Sequence, residues 1–324
     1  MYYNRKLSDS FSSLLESNGE LRWLFHLVQK RPELDFLIGK NASREWISIY
    51  RGLSRVLTIL NTRKPGMIKL DGDDAYKKIS MGLYGLRKTS EDFSAELTKL
   101  ISAVSNDSKF DRYYNNKKEG YFQTELSRQF GICRKPDDDF VVIDKEAVIG
   151  YENKDEKEEV YGNIRKSYKI LQRDISLKDE KRYGRELDKK AIGNELDFLA
   201  LDKQGNLLLI EYKHGSNTSG IYLSPLQIGM YFDLFNQLPR AELEKSVFEM
   251  LEQKKRIGLI NPKWNAPDIK GIVPVLIISE YNDRSSAKTK YQEIMAFLRA
   301  KKGGSFLETI KTYNYTTKNG LTAW

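Results

Sequence analysis

The sequence predicts an α/β protein: a mixed central sheet flanked by helices over the last two thirds of the chain, preceded by an α+β extension. Three observations carry this. Two apolar stretches, residues 195–202 and 206–214, face each other across Lys203-Gln204-Gly205 and read as a β-hairpin. The run "IKGIVPVLIIS" has the continuous apolarity of a strand covered on both faces. Helical periodicities alternate with these strands, which is the pattern of an α/β sandwich.

Taken in order, residues 21–30 are helical in pattern. "WISIYRGLSRVLTILN" and "MIKLDGD" read as short strands, joined by a turn at Arg63-Lys64-Pro65-Gly66. Ser90 is a good N-cap for a helix with Glu91 and Asp92 in its first turn and Phe93, Leu97, Leu100, Ile101 and Val104 on one face. The polar run "SNDSKFDRYYNNKKEG" suggests a boundary near residue 115, giving domains 1–115 and 116–324. A helix over 117–131 and a strand near 140–150 follow, and "ENKDEKEEV" reads as a loop or a helix start. Beyond the hairpin, Ser224-Pro225 opens a helix, because serine caps and proline is tolerated at the first helical position. "AKTKYQEIMAFLRAKKG" closes as a helix stopped by glycines. The only internal echo is Gly184-Arg-Glu-Leu-Asp188 against Gly193-Asn-Glu-Leu-Asp197.

The chain has 324 residues, 40% hydrophobic and 31% charged, enough to bury a core and unlike a disordered segment. No stretch approaches a membrane span, the N-terminus lacks the apolar core of a signal peptide, and Cys133 is the only cysteine. A cytoplasmic protein without disulfides or a thiolate zinc site is expected. A net charge of +9 favours polyanionic partners. Residues 162–190 hold ten Lys or Arg against five acids. A solvated surface and a phosphate track both fit that excess, and Lys181, Arg182, Arg185, Lys189 and Lys190 are the candidate nucleic-acid contacts.

The hairpin can be put in register. With Gly205 in the left-handed position of a three-residue loop, Asp202 and Asn206 close it, Asp197 falls opposite Glu211 and Glu195 opposite Lys213. Alternation sends all four side chains to one face. Opposed like charges repel, so something must neutralise Asp197 and Glu211. A hard divalent cation, a shared proton and the neighbouring lysine each do so; Mg²⁺ suits a small open carboxylate site. Asp188, followed by Lys-Lys-Ala-Ile-Gly, lacks such a partner strand and reads as part of the charged approach.

Asp197 followed by Glu211-Tyr212-Lys213 resembles the D…(D/E)-x-K signature of the PD-(D/E)xK nuclease superfamily, on the same kind of hairpin. Gln227 and Tyr231, four apart on one helix face, are similar to the Q-x-x-x-Y motif of its RecB-like exonuclease branch. "EGYFQTELSRQFG" resembles the first helix of such nucleases, with Glu119 rather than Glu125 on the apolar stripe. The resemblance covers roughly residues 116–300 and departs from a compact member in the long interval between that helix and Asp197. It implies a restriction-endonuclease-like core and Mg²⁺-dependent phosphodiester hydrolysis, with Mn²⁺ as a substitute. DNA is the implied substrate, in repair, restriction or phage defence. Asp197, Glu211, Glu119 and the Tyr212 carbonyl would be the metal ligands. Lys213 would stand beside the attacking water, Gln227 would position the lysine or the substrate, and Tyr231 would line the site. A second class is open: a catalytically inactive protein of this fold that binds nucleic acid or a protein partner. A third possibility is that the N-terminal third does the recognising, as a protein-interaction or DNA-reading module that targets the nuclease, with a homodimer or a protein partner held through it. His214 reads as a strand-end residue, and "HGSNTSG" as a mobile rim without phosphate-loop spacing.

Overall fold

Residues 1–132, 135–183, 192–193, 195–302 and 307–324 are described by a computed structural model, with the backbone alone for Glu180, Lys181 and Lys302. The fold is α/β, with one antiparallel and one mixed sheet and helices packed against them. The chain divides into two compact units, and the division falls between Asp144 and Lys145. One unit holds residues 4–144 and 246–265, the other residues 1–3, 145–245 and 266–324.

The first unit is built on five strands: β1 (Leu34–Lys40), β2 (Glu45–Arg51), β3 (Ser54–Asn61), β4 (Met67–Asp71) and β5 (Gly85–Lys88). They form an antiparallel meander in sequence order, the arrangement that short turns between alternating strands allow. β1 and β5 were not read from the sequence. Helices α1 (Arg22–Lys30) and α2 (Ser94–Ser105) contribute Leu24, Phe25, Leu97 and Ile101 to a buried cluster that also holds Ile47, Leu57 and Phe110. The helix expected from Ser90 begins instead at Ser94. A turn after β5 takes up Ser90, and Asp92 Oδ1 accepts the Ser94 amide at 2.9 Å. Helix α3 (Glu119–Gly131) stands where a helix was expected, with Phe122 and Leu126 buried, and belongs to this unit.

The second unit carries the mixed sheet, whose strand order is β11-β10-β9-β8-β7-β6. Here β6 spans Phe140–Ala147, β7 Leu196–Asp202, β8 Asn206–His214, β9 Gly271–Ser279, β10 Lys311–Thr316 and β11 Gly320–Ala323. β6 enters this unit only from Lys145. β9 is parallel to both β8 and β10, in the interior position its apolar sequence demands, and Val275 to Ile278 are buried.

A helical stretch runs from Lys154 without a break into α4 (Asn163–Lys178), with a π-turn at Glu158–Gly162. Of the two readings of "ENKDEKEEV", a loop or a helix start, the helix start holds; the helix beyond it was read only as a charged segment, although Tyr168, Leu171 and Ile175 are buried at helical spacing. Helix α5 (Thr218–Asn236) packs on β8 and β9, on α4 and on α7 (Ala287–Lys302). α5 begins at Thr218, not at Ser224-Pro225. Asn217 caps it, accepting the Gly220 amide at 2.9 Å. Proline inside a helix deprives the carbonyl four residues earlier of its donor. Ser224 Oγ donates to that carbonyl, on Ile221, at 2.7 Å, which keeps the helix satisfied through Pro225. Helix α6 (Arg240–Ile257) also escaped the sequence reading; from Ser246 it belongs to the first unit.

Candidate functional site

The hairpin forms as its sequence dictates. Gly205 adopts a positive φ of 84°, and Asp202 Oδ1 accepts the amides of Gln204 at 2.9 Å and Asn206 at 2.7 Å, fixing the three-residue loop. The ladder pairs Leu201 with Leu207 through to Phe198 with Ile210, the expected register. Beyond that pair the arrangement departs from a regular ladder. Asp197 Oδ2 accepts the Tyr212 amide at 2.8 Å, so the carboxylate takes an acceptor role that a backbone carbonyl has in a continuing ladder. Glu195 lies just before β7 and is exposed.

Asp197, Glu211 and Lys213 come together at this end of the hairpin. Lys213 Nζ hydrogen-bonds Glu211 Oε1 and lies 3.8 Å from Asp197 Oδ2. Glu211 is 2% and Lys213 8% exposed, so these two charges have little water to screen them, while Asp197 is half-buried. Burial pushes the Asp197 carboxyl above its ordinary value, opposed by Lys213, by the Tyr212 amide and by Lys145. Lys145 is a participant the sequence reading missed. It is buried on β6 with Nζ 5.7 Å from the Phe198 ring centroid. The signal was present as a lysine inside the apolar strand "VVIDKEAV". The Tyr212 side chain is buried, with its hydroxyl on Ser279 Oγ; its backbone is what reaches the site.

Lys213 and Gln227 line one cavity of about 340 Å³ with Gln172, Ile192 and Asn217. Gln172 is buried on α4 and accepts from Lys169 Nζ at 2.8 Å, a second residue unseen in the sequence. Tyr231 is buried and donates to the Glu195 carbonyl at 2.6 Å. Burial, then the negative charges of Glu211 and Asp197, hold its hydroxyl well above the usual tyrosine value. Gly193 packs so tightly here that a Cβ would stand 2.7 Å from Gln227 Nε2 and 3.0 Å from Tyr231 Oη. The Q-x-x-x-Y pair therefore anchors the segment entering β7.

Glu119 is half-buried at the start of α3 and belongs to the other compact unit, as does Glu125, whose pKa burial raises. Arg182 is exposed and pairs with Glu293 within the chain. The Lys181 side chain, Arg185, Asp188, Lys189 and Lys190 lie outside the described residues, as does Cys133. His214 is a half-buried strand end whose Nδ1 meets Ser216 Oγ at 2.8 Å. Thr218 to Gly220 of the expected mobile rim form the first turn of α5; Gly215 is buried, with its amide on the Ser279 carbonyl at 2.7 Å, and Asn217 is the cap. Among the described residues, no group of three or more His, Cys, Asp or Glu is arranged to hold a metal, and no helix is long and apolar enough to cross a membrane.

No protein family, curated protein or solved structure matches the chain.

Proposed function

We propose that the chain is a metal-dependent nuclease of the PD-(D/E)xK type that hydrolyses phosphodiester bonds, in DNA first, with the mixed sheet as its restriction-endonuclease-like core. The observation that carries this reading is the convergence of Asp197, Glu211 and Lys213 at one buried end of the β7–β8 hairpin. A fold in need of stability alone gains little from two carboxylates and an ammonium placed there, since desolvation offsets most of their attraction.

The donor set fits a magnesium-type ion, which is held by one or two carboxylates and keeps waters and substrate oxygens as its other ligands. Asp197, Glu211 and the Tyr212 carbonyl would hold it, with Mn²⁺ as a substitute. When bound, such an ion supplies Lewis-acid polarisation of the phosphate and an acidified water. Lys213, drawn to the two carboxylates, has its ammonium where charge develops on a phosphate bound beside them and where an attacking water can be oriented. Water adds to phosphorus and gives up a proton to solvent, the bond to the leaving oxygen breaks, and that oxygen takes a proton from solvent in turn. Gln227 lines the cavity beside Lys213, and Tyr231 is a positioning residue that fixes the Glu195 carbonyl and so the entry to β7.

The same ion pairs favour a second reading, in which Lys213 balances the carboxylates permanently and the chain binds nucleic acid without cleaving it. Incubation of the purified chain with labelled DNA and Mg²⁺ or Mn²⁺ separates the two. Metal-dependent cleavage that disappears in Lys213→Ala, with Mn²⁺ binding lost in Asp197→Asn, supports the nuclease. Absence of both cleavage and metal binding selects the inactive form.

A further inference from the structure

A cavity of about 860 Å³ in the second unit lies along one face of the helix that runs from Lys154 through α4. Lys157, Glu158, Tyr161, Gly162, Arg165, Lys166 and Lys169 reach it, a spacing close to four residues that keeps them on one side of the helix. The π-turn at Glu158–Gly162 falls within this set, a distortion that recurs at functional sites. Tyr151, Glu195 and Tyr231 complete the part of the lining that bears on its chemistry. Four bases thus meet two acids around a space of ligand-pocket size.

Two details point to an anionic occupant with a ring system. Arg165 Nε is buried and has no hydrogen-bond partner among the described residues, and a guanidinium N–H hidden from water without an acceptor is costly. Lys157 Nζ stands 5.9 Å from the Tyr161 ring centroid, so a cation and an aromatic face are presented together. Burial and the neighbouring Tyr161 push the Tyr151 hydroxyl up to about 12, so this ring adds no negative charge at neutral pH. The cavity is tied to the hairpin by Tyr231, which lines it while holding Glu195. It is tied again by Lys169, whose bond to Gln172 reaches the residue lining the Lys213 cavity.

We propose that this cavity receives an unpaired stretch of the nucleic-acid substrate, with phosphates on Arg165, Lys166, Lys169 and Lys157 and bases against Tyr151 and Tyr161, and presents it to Lys213. A duplex keeps its bases stacked inside, whereas tyrosine faces engage bases that are splayed out. The Lys213 end of this statement rests on the nuclease reading; the binding end does not.

The test is the affinity of the full chain, in EDTA, for a fluorescein-labelled unpaired deoxyoligonucleotide, measured by anisotropy over a range of salt. A blunt duplex of the same length and a free deoxynucleoside monophosphate are the comparisons. The unpaired strand is expected to bind, and the salt slope to fall by roughly 0.7 for each phosphate contact removed in Arg165→Ala and Lys166→Glu. Tyr161→Ala is expected to weaken binding roughly tenfold. Lys166 is exposed, so its charge reversal leaves folding intact and keeps the test valid if Arg165→Ala misfolds. Unchanged binding in these variants, equal affinity for the duplex, or equal affinity for the free monophosphate overturns the proposal. A wild type that binds the strand through these residues yet cleaves nothing with Mg²⁺ or Mn²⁺ refutes the nuclease reading and leaves the cavity assignment standing.

Discussion

Lys213→Ala removes an ammonium that pairs with both Glu211 and Asp197. At 3.8 Å from Asp197, and with an effective dielectric constant of about 20, the lost attraction from that carboxylate alone is about 4 kcal/mol. Removal of one partner from a buried pair costs about 3–5 kcal/mol in comparable sites, because the remaining charge has no water to turn to. For a unit of this size such a loss lowers the melting temperature on the order of 10 °C. The assay is thermal unfolding followed by circular dichroism, for wild type and variant, across pH and with or without Mg²⁺. The deficit should be full near neutral pH and shrink on acidification, as protonation takes over the task of the ammonium. Millimolar Mg²⁺ should raise the variant's melting temperature more than that of the wild type, since ligation stabilises whichever form binds it better. A variant as stable as wild type at neutral pH in EDTA would refute the argument that Lys213 relieves a buried carboxylate pair.

Asp197→Asn keeps an acceptor for the Tyr212 amide while removing a charge that burial disfavours. Because the folded pKa is raised, the associated stability is present below the ordinary carboxylate value and lost as pH rises through the folded value. The substitution should therefore raise the melting temperature near about pH 7.5 more than near about pH 4, while abolishing cleavage. Tyr231→Phe loses one hydrogen bond to the Glu195 carbonyl, worth about 1 kcal/mol, and should lower kcat with little change in KM. Gly193→Ala should lower both stability and cleavage, since its Cβ meets Gln227 and Tyr231 inside contact distance; a relaxed crystal structure with unchanged activity would count against the packing argument. Arg5→Ala breaks a 2.8 Å buried pair with Asp144 and should destabilise the first unit by about 3–5 kcal/mol, read by denaturant unfolding.

The hairpin was legible because its signals are local: a glycine in a short loop, an apolar run on either side of it, and a register that follows once the loop length is known. The departure at Asp197 was not, since a side chain taking a backbone amide has no signature in residue type. Ser224-Pro225 misled for a related reason. The pair has the chemistry of a helix start, yet the Ser224 hydroxyl is used to satisfy the carbonyl that Pro225 strands inside α5. On α4 charged residues are as frequent as apolar ones, and the stripe of Tyr168, Leu171 and Ile175 was hidden by the run of cations that line the cavity. Lys145 and Gln172 reach the site through tertiary packing from distant stretches, which no spacing rule encodes.

The chain's first residues belong to the second unit, it returns there at Lys145, and it leaves once more for residues 246–265. Within the first unit, Leu7 exchanges two 2.9 Å hydrogen bonds with Gln253, a separation of 246 residues, and Lys254 Nζ donates to the Val142 carbonyl at 3.1 Å. No single cut separates the units, so a truncation that discards the N-terminal third strips the end of α6 of its partners and exposes Ile257 and Leu259. On the ribosome, the backbone groups of Leu7 and Val142 must wait for α6 to be synthesised before these partners reach them. Folding here is therefore interleaved, and a shortened version made for crystallisation or for dissecting recognition needs a designed bridge in place of residues 246–265 rather than a new start site.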